Sequence, residues 1–181
     1  LLSLSEPTGE DPVDTFDAPQ DVASVSRPGD LWQLGRHRVL CGDARDEANY
    51  LQLLGESRAD MVFADPPYNV PIAKHVSGLG RVKHGEFAMA CGEMSPVDFV
   101  AFLRTSMERL ASFSKDGSLH YICMDWRHNR ELQEAGDPVY SELKTLVVWS
   151  KTNGGMGSFY RSQHELIFLY KAGTAPHINN I

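Results

Sequence analysis

The run Met61-Val62-Phe63-Ala64, ended by Asp65-Pro66-Pro67-Tyr68, constrains this chain more than any other segment. Four consecutive apolar residues with β-branched and aromatic members read as a strand buried on both faces. Two prolines cannot continue a central ladder, so the strand must stop there. The prolines fix two φ angles and bias Asp65 away from helix. A carboxylate is thereby held in a stiff turn at a strand's carboxyl end, where ligands gather in α/β sheets. Such a turn suits a flat heterocycle bearing an exocyclic amine. Asp65 and the Pro66 carbonyl can each accept one amine hydrogen, and Tyr68 can stack on the ring.

Around this turn, strand and helix patterns alternate. Leu31–Leu34 and Arg38–Cys41 read as short strands, and Gly29-Asp30 as a turn. Asp46 to Leu54 fits a helix with Ala48, Leu51 and Leu54 on one side and Gly55 after it. Ser95, Pro96 and Asp98 form an N-terminal cap, N1 and N3 set. Val97, Val100, Leu103, Met107 and Leu110 then repeat at helical spacing. Leu119–Met124, Leu143–Trp149 and Leu166–Tyr170 read as further strands, and Arg127 to Ala135 as a short helix. The order predicts an α/β fold with a parallel-type sheet covered by helices.

Residues 1–27 read as a flexible acidic linker. The first 26 residues carry six acidic groups and no Lys or Arg, with Pro7, Pro12 and Pro19 among them. They cannot bury enough apolar surface to offset ordering entropy. The net charge of −7 therefore sits mostly there, and the rest is near neutral with 17 basic against 18 acidic groups. That balance leaves room for a polyanionic partner, which needs only a local basic patch. The apolar runs are strand-sized, which excludes a membrane span, and the N-terminus lacks a secretory pattern. Three dispersed cysteines and scattered histidines fit neither a disulfide framework nor a metal site, and suit a reducing cytoplasm. With no initiator Met, the chain is expected to be a piece of a longer protein, joined to an upstream domain through residues 1–27.

Phe63-Ala64-Asp65-Pro66-Pro67-Tyr68-Asn69 resembles the catalytic motif of the amino-group DNA methyltransferases, which act on adenine N6 or cytosine N4. Gly29–Gly35 leading into Cys41-Gly42-Asp43-Ala44 resembles the entry to their permuted β class. Trp149-Ser150-Lys151, Gly154–Gly157 and Tyr160–Glu165 resemble the later motifs. The resemblance covers about residues 28 to 173, which makes 28–173 the catalytic part and 174–181 the start of a recognition or connecting region. It implies a Rossmann-like, S-adenosylmethionine-dependent fold, of which this is the catalytic half.

By that resemblance the target base is flipped from double-stranded DNA into a pocket. Asp65, Pro66, Pro67 and Tyr68 are then catalytic, and transfer is direct. Asp at this position favours adenine over cytosine. Asp43, Ala44 and Asp65 contact the cofactor, with Asp43 open also to a turn or capping role. Base or DNA contacts fall to Asn69, Lys74, Arg81, Lys83, Lys151, Phe159, Tyr160 and Arg161. Phe159 or Tyr160 supplies a second aromatic face or packs a loop. Lys151 meets the cofactor, a phosphate or only solvent. Lys74, Arg81 and Lys83 belong to a basic, glycine-containing loop with no acidic residue between Pro71 and Gly85.

No metal is expected. A homodimer, a restriction partner and a nucleoid-associated cytoplasmic setting go with the family. Its Phe-x-Gly-x-Gly cofactor loop does not occur in the 181 residues, so this piece alone is not expected to be a competent enzyme. The alternatives are a noncatalytic DNA-binding or assembly module on the same fold, and a cytosine N4, RNA or protein methyltransferase.

Overall fold

The computed structural model describes residue 23 and residues 25–70, 89–152, 160 and 162–178. The fold is α/β, with a mixed four-stranded sheet and helices packed against it. Most of the expected linker, and the last three residues of the expected connecting region, lie outside the described residues.

The two short N-terminal strands, β1 (Leu31–Leu34) and β2 (His37–Leu40), pair antiparallel as a hairpin separate from the main sheet. Gly35 closes the turn at φ 61°, a conformation that favours glycine. Helix α1 (Glu47–Leu54) starts where expected. The Asp46 carboxylate accepts from the Ala48 N–H, and Gly55 ends the helix at φ 59°. Its inward residues are Asn49, Tyr50, Leu53 and Leu54, not the Ala48–Leu51–Leu54 stripe, and Leu51 is 55% exposed. Tyr50 turns that face inward by stacking on Phe113 at 5.0 Å.

Strand β3 (Ala59–Ala64) runs parallel to β4 (Ser114–Met124), with Ala64 opposite Ile122. The sheet order is β3-β4-β6-β5. β5 (Glu142–Ser150) and β6 (His164–Lys171) are antiparallel to each other, and β6 is antiparallel to β4. The sheet is thus mixed, not parallel-type. No helix lies between β5 and β6 among the described residues, and without a helical crossover the chain returns beside the strand it has just left. Nor is β3 buried on both faces: among the described strands it lies at the sheet edge, and Met61 and Phe63 are 58% and 62% exposed.

Helix α2 (Pro96–Ser112) has the expected cap. The Asp98 N–H donates to Ser95 Oγ, and the Ser95 hydroxyl donates to the Asp98 carboxylate. Phe99, Val100, Phe102, Leu103 and Met107 are buried, whereas Val97 in the first turn is exposed. After a 3₁₀ turn at Trp126–His128, helix α3 (Asn129–Gly136) adds Leu132 and Ala135 to the core. These side chains pack on one face of the central strands, built from Ile122 and Met124 of β4 and Phe168 and Tyr170 of β6. Among the described residues no helix is long and apolar enough to cross a membrane.

Among the described residues the core holds one histidine. His120 is fully buried, 3.1 Å from the Ser118 hydroxyl at Nε2 and 2.9 Å from the Tyr140 hydroxyl at Nδ1. Burial lowers its pKa from 6.5 to about 4. The unfolded chain then binds the proton more readily than the folded one, so stability is full above about pH 6.5. It falls as pH drops toward 4, by about 3 kcal/mol in all. Urea unfolding across this range, with His120→Gln as comparison, should show the dependence flattened in the variant. Equal slopes in both would contradict the neutral buried imidazole.

Candidate active site

The Asp65-Pro66-Pro67-Tyr68 turn leaves the carboxyl end of β3, as expected. Asp65 is exposed, and Pro66, Pro67 and Tyr68 are half-buried. Asn69 follows at φ 53° with 8% exposure. Its amide oxygen accepts from the Gly92 and Met94 N–H groups at 3.0 and 3.2 Å, and its amide nitrogen donates to the Met94 carbonyl at 3.0 Å. Asn69, expected as a base or DNA contact, is therefore engaged with the chain's own backbone. It clamps the returning segment against the end of β3.

That returning segment is also fixed by Glu93, whose carboxylate accepts from the Ala90 N–H at 2.6 Å and the Cys91 N–H at 2.5 Å. Met89 is thereby brought over a cleft of about 340 Å³. Gly42, Asp43 and Ala44 form one side of this cleft, and Asp65, Pro66 and Pro67 another. Phe102, Leu103, Ser106 and Met107 of α2 form the floor with Ile122 of β4. Two segments more than twenty residues apart, each singled out from the sequence, thus line one cleft. The helical floor was not named as a site in the sequence, although its period was visible there.

Asp43 pairs with Arg45, with 2.6 Å between Oδ2 and Nη2. The Arg45 hydrogen bonds hold its carboxyl below the ordinary range against the opposing effect of burial. The Asp43 carbonyl accepts from the Asn49 side chain at 2.9 Å. Gly42 makes that approach possible, since a Cβ there would stand 2.6 Å from the Asn49 amide. The Gly42–Ala44 wall is therefore tied to helix α1.

Tyr68 is tethered at its hydroxyl, 2.5 Å from Asp65 Oδ1 and 2.8 Å from Glu165 Oε2. Burial, then these two carboxylates, push its pKa far above the ordinary phenol value. Glu165 Oε1 in turn takes the Lys151 ammonium. Lys151 stands 5.8 Å over the Trp149 ring. Lys151, expected at cofactor, phosphate or solvent, is thus tied to the Asp65–Tyr68 turn through Glu165. Burial, with the Asp65 and Glu165 charges, also raises the neighbouring Cys123 thiol to about 11. Tyr160 is 84% exposed. Lys74, Arg81, Lys83, Phe159 and Arg161 lie outside the described residues.

No protein-family model matches the chain, and no curated protein matches it. Solved structures do. The chain is similar to M1.HpyAVI in complex with SAM at 14% identity and TM-score 0.43, over 71% of this chain and 49% of that one. It is similar to M1.HpyAVI alone at 13% identity and TM-score 0.46, over 77% and 62%. A third structure is TTHA0409 from Thermus thermophilus, a candidate DNA modification methylase, at 15% identity and TM-score 0.47, over 77% and 54%. The chain thus spans about half to three fifths of the length of these structures.

Proposed function

We propose that this chain is the amine-holding part of a DNA methyltransferase of Rossmann-like fold, acting on an exocyclic amino group and most readily on adenine N6. The observation that carries this reading is the shared cleft. A rigid carboxylate turn at a strand's carboxyl end faces a second acidic turn across a space of about 340 Å³. Adenine is favoured by the Asp at position 65, on the resemblance drawn from the sequence.

The residues present fit part of an S-adenosylmethionine site. Asp43 offers a carboxylate acceptor for an adenine amino group, and Phe102, Leu103 and Met107 offer apolar walls for a ring. When bound, this cofactor supplies an electrophilic methyl group. The 181 residues carry no Phe-x-Gly-x-Gly loop, so they supply only part of the site.

The chain's own residues then act by position and charge. Asp65 accepts one amine hydrogen and the Pro66 carbonyl the other, which aims the nitrogen lone pair away from both. As the nitrogen gains positive charge, the Asp65 carboxylate stabilises it. Tyr68, held at its hydroxyl, presents its ring beside the base. Incorporation of tritiated methyl groups by the full-length protein tests the reading on duplex DNA, RNA and protein in parallel. Label in duplex DNA is expected. Label only in RNA or protein, or in none of them, would overturn it.

A further inference from the structure

The Tyr68 hydroxyl has one proton and two carboxylate neighbours. Asp65 Oδ1 is 2.5 Å away and Glu165 Oε2 is 2.8 Å away. A phenol can donate to only one of them at a time. Asp65 is exposed, whereas Glu165 sits on β6 with its side chain only 21% exposed. The second Glu165 oxygen is already taken by Lys151, which places a positive charge beside it. Glu165 is therefore a fixed acceptor and Asp65 an accessible one.

We propose that Glu165, held by Lys151, is a positioning residue that takes the Tyr68 hydroxyl when Asp65 accepts a substrate amine. The proposal rests on the reading of Asp65 as that acceptor. An amine hydrogen that approaches Asp65 Oδ1 competes with the Tyr68 hydroxyl for that oxygen. Donation to Glu165 relieves the competition with no ring movement, because both acceptors are already within hydrogen-bond reach. The swap needs only rotation of the O–H about the C–O bond, and the proton stays on the Tyr68 oxygen. Tyr68 remains tethered, its ring stays in place, and Asp65 Oδ1 is freed for the amine.

The test uses the 181-residue chain carrying ¹³Cζ-labelled tyrosine in mixed light and heavy water. Tyr68→Phe assigns the Tyr68 signal among the six tyrosines. A hydrogen-bonded, slowly exchanging hydroxyl gives an isotope-split line. Asp65→Ala stands in for an Asp65 engaged elsewhere, and the split line should persist there at a shifted position. Adding Glu165→Gln to it should collapse the splitting, and Glu165→Asp in its place should restore it. Lys151→Met should move the Tyr68 line alone, which covers the case of a misfolded double variant.

Loss of the splitting in Asp65→Ala by itself would overturn the proposal. So would a Tyr68 line unmoved by both Glu165→Gln and Lys151→Met. None of these readings involves methyl transfer, so a failure to methylate DNA and a failure of this proposal are separate results.

Discussion

Asp65→Ala should lower methyl transfer by the full-length protein at least about 10²–10³-fold, the scale of losing one preorganised group that faces developing charge. The side chain is exposed and accepts from the Tyr68 hydroxyl. Its removal therefore leaves the core intact, and Tyr68 keeps Glu165 as an acceptor. Cofactor binding should survive in large part, because Asp43, Ala44 and the α2 floor of the cleft are untouched. Calorimetric titration of S-adenosylmethionine beside the transfer assay separates the two effects. Loss of binding together with activity would move Asp65 from holding the amine to holding the cofactor.

Leu103→Ala should cost about 2–5 kcal/mol of folding stability, the range for truncating a buried leucine. Leu103 is 1% exposed in the core formed by α2, α3, β4 and β6, and it also lines the cleft. One truncation thus removes core contacts and widens the candidate site. The urea midpoint should fall with little change in slope. A loss below about 1 kcal/mol would mean that the helix floor collapses freely into the space, and the cleft would then have no fixed shape. Ser106→Ala, in the same wall but half-buried, should stay close to the wild-type midpoint.

Local chemistry carried the parts of this fold that were legible from the sequence. Asp46 and Ser95 announce their helices because each can satisfy a backbone N–H that the first turn leaves unpaired. The two prolines announce the end of β3 for an equally local reason. Strand partners are another matter. The insertion of β6 between β4 and β5 is a choice among distant segments, and no spacing in the sequence encodes it.

The same limit explains the faces of β3. A continuous apolar run says that a strand forms, but whether one or both faces are covered depends on its place in the sheet. At the edge, Met61 and Phe63 remain exposed. Within the site, Asp65 and Asp43 stood out through their own turns. Glu165 did not stand out as a partner of Tyr68, because 97 residues separate them and only the pairing of β4 with β6 brings Glu165 to the end of the sheet that carries the turn.

Nucleoside analysis of DNA treated with the full-length protein and S-adenosylmethionine tests the central claim most directly. The Asp65-Pro66-Pro67-Tyr68 turn is held to grip an exocyclic amine, adenine N6 by preference, at the end of β3. The expected result is N6-methyladenine in DNA treated with the wild-type protein and its loss with Asp65→Ala. Methylation that persists unchanged in Asp65→Ala, or that appears only on a carbon atom of the base, would contradict the account.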